Sequence, residues 1–136
     1  MKLAADANVL LSAVIGGRAK VVLAHPQIEE VLTTQHTIAE IEEYALILAK
    51  RRRLRADFVL LAVAALPVTI VAPTAYSKSM AEALHRIGNR DPDDAELLAL
   101  ALHAQIPVWS NDRDFEQAKV DRFTTEDLLR NLRIIK

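Results

Sequence analysis

Acidic side chains recur along this chain just after apolar runs and at helix starts. Asp6 closes the run Leu3-Ala4-Ala5, and Asp112 follows Val108-Trp109-Ser110. Glu40 lies one turn into a helical stretch opening near Thr37, and Asp91, Asp93 and Asp94 crowd the start of another. Acids so far apart in sequence do joint chemistry only if the fold gathers them. Gathered, they repel, and they are stable together only when neutralised by protons or by a cation. The chain has no cysteine, which excludes thiolate zinc sites, iron–sulfur clusters, disulfides and cysteine nucleophiles. Its four histidines, His25, His36, His85 and His103, form no convincing ligand pair. An oxygen-only set of this kind favours Mg²⁺ or Mn²⁺ over zinc.

Each acid also has a plainer use. Thr37 and Glu40 match the capping-box spacing, in which the acid accepts a backbone N–H. Asp91, Asp93 and Asp94 complement the positive end of a helix dipole, and Asp112-Arg113-Asp114 suits a solvated turn. Asp6 is the exception. A carboxylate ending a buried strand is costly unless something pairs with it.

The elements that must position these acids follow from patterning. Strands are expected at Leu3–Ala5, within Ile28–Thr33, at Val68–Val71, at Val108–Ser110 and at Arg122–Thr124. Helices are expected at Asn8–Ile15 (stopped by Gly16-Gly17), Ala19–His25, Thr37–Arg53, Ala56–Leu66, Ser77–Ile87 (closed by Gly88-Asn89) and Pro92–Gln105, with a C-terminal helix capped by Thr125. Ala56–Leu66 is apolar on nearly all sides and reads as a buried or interface helix. Strand and helix alternate throughout, which predicts an α/β sandwich with a largely parallel sheet. Chemistry in such sheets gathers outside the carboxyl ends of the strands, where Asp6 and Asp112 fall.

Composition bounds the rest. The 136 residues suit one domain spanning 1–136. No secretory signal opens the chain, and the stretch free of charge between Asp57 and Lys78 is interrupted by Pro67 and Pro73, so no membrane span is expected. Five of the 17 basic residues lie in Lys50–Arg55, leaving twelve against 18 acids elsewhere; a basic surface coating nucleic acid is absent. That run sits at a helix end, where cations suit the dipole, and this reading is favoured over an RNA track. Six aromatics are too few for a base-stacking platform.

Taken in order, Asp6-Ala7-Asn8, Thr37-x-x-Glu40, Asp91-Pro92-Asp93-Asp94-Ala95-Glu96 and Ser110-Asn111-Asp112-Arg113-Asp114-Phe115 resemble the PIN-domain family of metal-dependent nucleases, which includes the toxins of VapBC-type toxin–antitoxin pairs. The resemblance runs from Lys2 to about Leu129. It implies a three-layer sandwich, a central, mostly parallel β-sheet flanked by helices, with the acids around one or two Mg²⁺ or Mn²⁺ ions. Asp6, Glu40, Asp94 and Asp112 match the acidic core, with Asp91 an accessory ligand and Asp114 a supporting or structural acid. Asn8 matches the residue that orients the first Asp, and Ser110 stands where the family most often has threonine. Trp109 is larger than the aliphatic residue expected, without explanation from sequence. Arg90 and Arg113 are candidates for RNA phosphate contacts or for salt bridges to the ligands.

The activity implied is hydrolysis of RNA phosphodiesters in the cytoplasm, leaving 5′-phosphate and 3′-hydroxyl ends. The partners implied are a cognate antitoxin and a second copy in a homodimer. Two other readings stand beside it. A catalytically silent RNA- or protein-binding module on the same fold has little reason to keep all four acids. An aspartate-based phosphatase expects an Asp where Asn8 stands.

Overall fold

The computed structural model describes residues 1–87 and 92–135. Five strands form the sheet: β1 (Lys2–Ala5), β2 (Glu30–Thr34), β3 (Thr69–Val71), β4 (Val108–Trp109) and β5 (Arg122–Phe123). All pairings are parallel, in the order β3-β2-β1-β4-β5. The helices are α1 (Ala7–Val14), α2 (Ala19–Leu23), α3 (Gln35–Arg51), α4 (Ala56–Ala64), α5 (Pro73–Tyr76), α6 (Met80–Ile87), α7 (Pro92–Ala104) and α8 (Thr125–Asn131). Short 3₁₀ turns occupy Ser77–Ser79 and Arg113–Ala118.

Strand β1 shows why three layers are needed. Successive side chains of a strand point to opposite faces. Leu3 and Ala5 enter a core formed with residues of α1 to α4 and α8, whereas Ala4 enters a second core with α6, α7 and Tyr76. All three are fully buried. From Leu3 to Ala5 the strand is covered on both faces and carries no polar side chain, and Asp6 follows directly after it. The second core is dominated by α7, whose Leu98, Ala99 and Leu100 are all fully buried. Its near-continuous apolar run reflects burial on most sides rather than an amphipathic stripe.

Several boundaries differ from the sequence reading for local reasons. Helix α3 begins at Gln35, because the hydroxyl of Thr34 accepts the Thr37 backbone N–H at 2.9 Å and caps it. Thr37 therefore stands in the first turn, and the capping-box use of Glu40 falls away. Thr124, not Thr125, caps α8, in a reciprocal box with Asp127. The stretch predicted as one helix from Ser77 is split into a 3₁₀ turn and α6; its Gly88-Asn89 stop lies outside the described residues. Only Val63 of α4 is buried, while Phe58 and Leu61 are 61% and 66% exposed. Helix α4 therefore adds Val63 to the first core, with Val59 packed against it, and leaves much of its apolar surface exposed. Among the described residues no helix is long and apolar enough to cross a membrane.

Trp109 also receives its explanation here. It is fully buried in the first core, and its indole N–H donates to Thr125 Oγ1 at 3.0 Å. It pairs with Ala5 on one side and Phe123 on the other. With β4 and β5 only two residues long, this side chain ties that half of the sheet to α8. Trp109→Ala should lower unfolding stability by about 3–5 kcal/mol, measured by urea denaturation followed by far-ultraviolet circular dichroism.

Candidate metal centre

The sheet order fixes where a site can form. From β1 the chain moves one way to β2 and β3, then returns to the other side for β4 and β5. The crevice beyond the carboxyl ends of β1 and β4 is thus the switch point of the sheet, where open α/β folds bind ligands. Asp6 leaves β1 there, and Ser110 and Asp112 leave β4.

A polar cavity of about 120 Å³ opens at this point, and Asp6, Asn8, Glu40, Asp94 and Asp112 line it together with Thr37 and Tyr44. Four chain-distant acids therefore meet. Asp94 comes from the first turn of α7 and Glu40 from the second turn of α3. Carboxylate oxygens of Asp94, Asp112 and Asp114 lie within 4.8 Å of one another. Asp114 thus stands closer to the acidic cluster than its supporting assignment suggested, while Asp6 and Glu40 form other parts of the same wall. Larger clefts of about 290 and 400 Å³, one beside α1, α2 and α4 and one reaching the α3–α4 turn, are mainly apolar and hold none of these acids.

Asp6 is the most constrained member. It caps α1, accepting the Val9 backbone N–H at 2.9 Å, and it accepts the hydroxyl of buried Ser110 on its other oxygen. Ser110 Oγ in turn accepts the Asp112 backbone N–H at 3.0 Å. One hydroxyl therefore joins the acid after β1 to the backbone of the acid after β4. Burial pushes the Asp6 carboxyl above its ordinary range; the Ser110 and Val9 hydrogen bonds oppose this, and the Asp112 charge adds to it. Asp112 caps the following 3₁₀ turn, accepting the Asp114 N–H at 2.9 Å.

Sequence reasoning gave no sign of Arg122. Its guanidinium donates to the carbonyls of Ser110 and Asp112, both at 3.2 Å, and to Glu116 at 2.7 Å. It clamps the loop that carries two site residues, from a strand with no motif of its own. Asn8 is exposed at the lip of the cavity, and the donors that grip Asp6 are Ser110 and backbone N–H groups. Arg113 is exposed at the start of the 3₁₀ turn. Arg90 and Asp91 lie outside the described residues, as does the side chain of Asp93. The run from Lys50 to Arg55 is exposed at the far end of α3. Lys50 is ten residues beyond Glu40, about 15 Å along the helix axis.

The donor chemistry suits a hard divalent cation. Three carboxylates within 4.8 Å repel unless a positive charge lies among them, and Mg²⁺ is bound by few carboxylates plus water. The sequence profile of the PIN domain matches residues 5–133. The chain belongs to the PIN-domain family. PAE2754 from Pyrobaculum aerophilum has the same fold, with a TM-score of 0.73 at 15% identity over 99% of this chain and 91% of that one. VapBC2 from Rickettsia felis, solved bound to a DNA fragment from its promoter, gives 0.67 at 11% identity over 91% and 98%. VapC20 from Mycobacterium tuberculosis, a toxin that cleaves the sarcin–ricin loop, gives 0.59 at 19% over 87% and 95%. No curated protein matches the chain in sequence.

The raised carboxyl of Asp6 has a consequence for this PIN domain without metal. A folded-state pKa above the unfolded one means that folding retains a proton, so stability falls as pH rises through that window. Asp6→Asn should therefore raise the Tm of metal-free protein at pH 8, and the gain should vanish near pH 4 and below. Added Mn²⁺ should raise the Tm of wild type far more than that of the variant. Calorimetric scans across pH, with and without metal, check both.

Proposed function

We propose that this PIN domain is a divalent-metal-dependent endoribonuclease and the toxin of a toxin–antitoxin pair. The observation that carries the reading is the polar cavity that Asp6, Glu40, Asp94 and Asp112 line together at the switch point of the sheet. Asp6, Asp94 and Asp112, with Asp114 beside them, would hold Mg²⁺ or Mn²⁺. Such an ion, when bound, lowers the pKa of a coordinated water and offsets charge on a phosphodiester under in-line attack.

The protein's own residues supply the rest. Asp6 is fixed by Ser110 and the Val9 N–H, so its free lone pairs face the cavity in one orientation. Glu40 faces them from α3, where it completes the ligand set or orients the attacking water. The preference for RNA and for 5′-phosphate and 3′-hydroxyl products carries over from the family; VapC20's action on the sarcin–ricin loop supports the RNA part. An acidic cavity repels the substrate backbone, so a cation must approach the phosphate; Arg113, exposed and next in sequence to Asp112, is our candidate. VapBC2 supports an antitoxin partner, and such pairs act in the cytoplasm.

Cleavage of a labelled structured RNA tests the activity. Wild type should cut with Mg²⁺ or Mn²⁺ and stop with EDTA. Asp94→Asn, which keeps size but loses charge, should fall by about a hundredfold or more, since the metal supplies several kcal/mol of transition-state stabilisation. Equal cutting by both proteins would assign the activity to a contaminant, and metal binding without cutting of any RNA would favour a silent module.

The exposed apolar face of α4 is the surface we assign to a homodimer. Phe58 and Leu61 stand more than half exposed there, with Leu54, Leu46 and Ile47 nearby in sequence on the α3–α4 pair, and patches of this kind mark interaction sites. Light scattering on a sizing column should give twice the 15.1 kDa chain mass, and Leu61→Asp should halve it. A strictly monomeric wild type would remove the dimer.

A further inference from the structure

Beside the acidic cavity runs a line of polar contacts that the proposed chemistry leaves unused. His36 stands one turn before Glu40 on α3, and its Nε2 lies 3.3 Å from Glu40 Oε1. Its Nδ1 lies 3.6 Å from Glu96 Oε2 on α7. The other oxygen of Glu96 accepts the hydroxyl of Tyr76 at 2.8 Å. Tyr76 is buried at the end of α5. Burial, with the Glu96 contact second, pushes its phenol above the ordinary range, so it stays a donor. The line starts in the core and ends on a carboxylate that lines the cavity.

The physical need for such a line is clear from Glu40 itself. A glutamate side chain has three rotatable bonds, and fixing it costs on the order of 1–2 kcal/mol in lost rotamer freedom. Asp6 and Asp112 are short and are held by caps and by Ser110. Glu40 must reach the cavity from a helix surface. An imidazole is rigid, and its two nitrogens point in fixed directions. In its doubly protonated form it has one N–H directed to Glu96, 3.6 Å away, and one to Glu40 at a fixed angle to the first. Glu96 also follows Asp94 by two residues on α7, so the line ties Glu40 to the helix carrying another site acid.

We propose that His36 is a positioning residue that holds Glu40 at the acidic cavity, itself oriented by Glu96 and, through it, by Tyr76. The inference rests on the metal-centre reading above. Partners of this kind, behind a metal ligand, typically contribute ten- to a hundredfold in metal affinity or activity. His36 is partly exposed, so its replacement should leave the fold intact, which circular dichroism verifies.

The test is Mn²⁺ titration by calorimetry, without RNA, on the full chain. His36→Ala should weaken Mn²⁺ binding about tenfold. Glu96→Gln should weaken it in the same direction by less, since the amide keeps its contact with Tyr76. His36→Gln, whose amide still donates towards Glu40, should recover most of the loss. In a Glu40→Gln background, His36→Ala should cost nothing more, because its effect passes through Glu40. Unchanged affinity in His36→Ala, or losses that multiply in the double variant, overturns the proposal while leaving the metal centre standing. A wild type that binds no Mn²⁺ overturns both.

Discussion

The architecture depends on one buried carboxylate. Asp6 terminates the central strand, and it is placed where the two halves of the sheet diverge. Its two oxygens serve two neighbours: the Val9 N–H, which starts α1, and the Ser110 hydroxyl, which links it to the loop after β4. A charged group here is tolerated because each of its hydrogen bonds replaces some of the water that burial removes. The remaining penalty is what a divalent cation would relieve. Strand, helix cap and ligand are thus one residue, and removing it would disturb all three.

Much of this was legible in sequence. The two acids that follow strands, Asp6 and Asp112, were readable because each ends an apolar run with no other reason to stop in a charge. The α/β alternation was readable because buried parallel strands and helices differ in length and in punctuation. Glu40 and Asp94 were readable only in combination, since each alone has a helix-terminus explanation. Thr34 decided between them for Glu40: by capping α3 one turn earlier than expected, it left Glu40 without a capping role and turned it toward the cavity. That competition between Thr34 and Thr37 is a matter of where β2 ends, which no local pattern states.

Other features were invisible for a different reason. Arg122 holds the loop after β4 through contacts to the Ser110 and Asp112 carbonyls that form only when β5 lies beside β4, and nothing near Arg122 in sequence marks it. The line from Tyr76 through Glu96 to His36 draws on three segments. Each of these residues reads alone as a surface or packing side chain. The exposure of α4 also could not be read from its sequence, because a helix that is apolar all round looks the same whether it lies in a core or against a partner. Burial is a property of what packs on a helix, and sequence reports only what the helix offers.

Trp109 leaves a practical legacy. It is the only tryptophan of the chain, it is fully buried, and its carbonyl accepts the Asp6 N–H. Its indole, one residue before Ser110, packs in the first core against Thr125 and is shielded from water. Excited apart from Tyr44 and Tyr76, this one indole is an optical gauge of the place where β4 meets the first core and α8, and it needs no label.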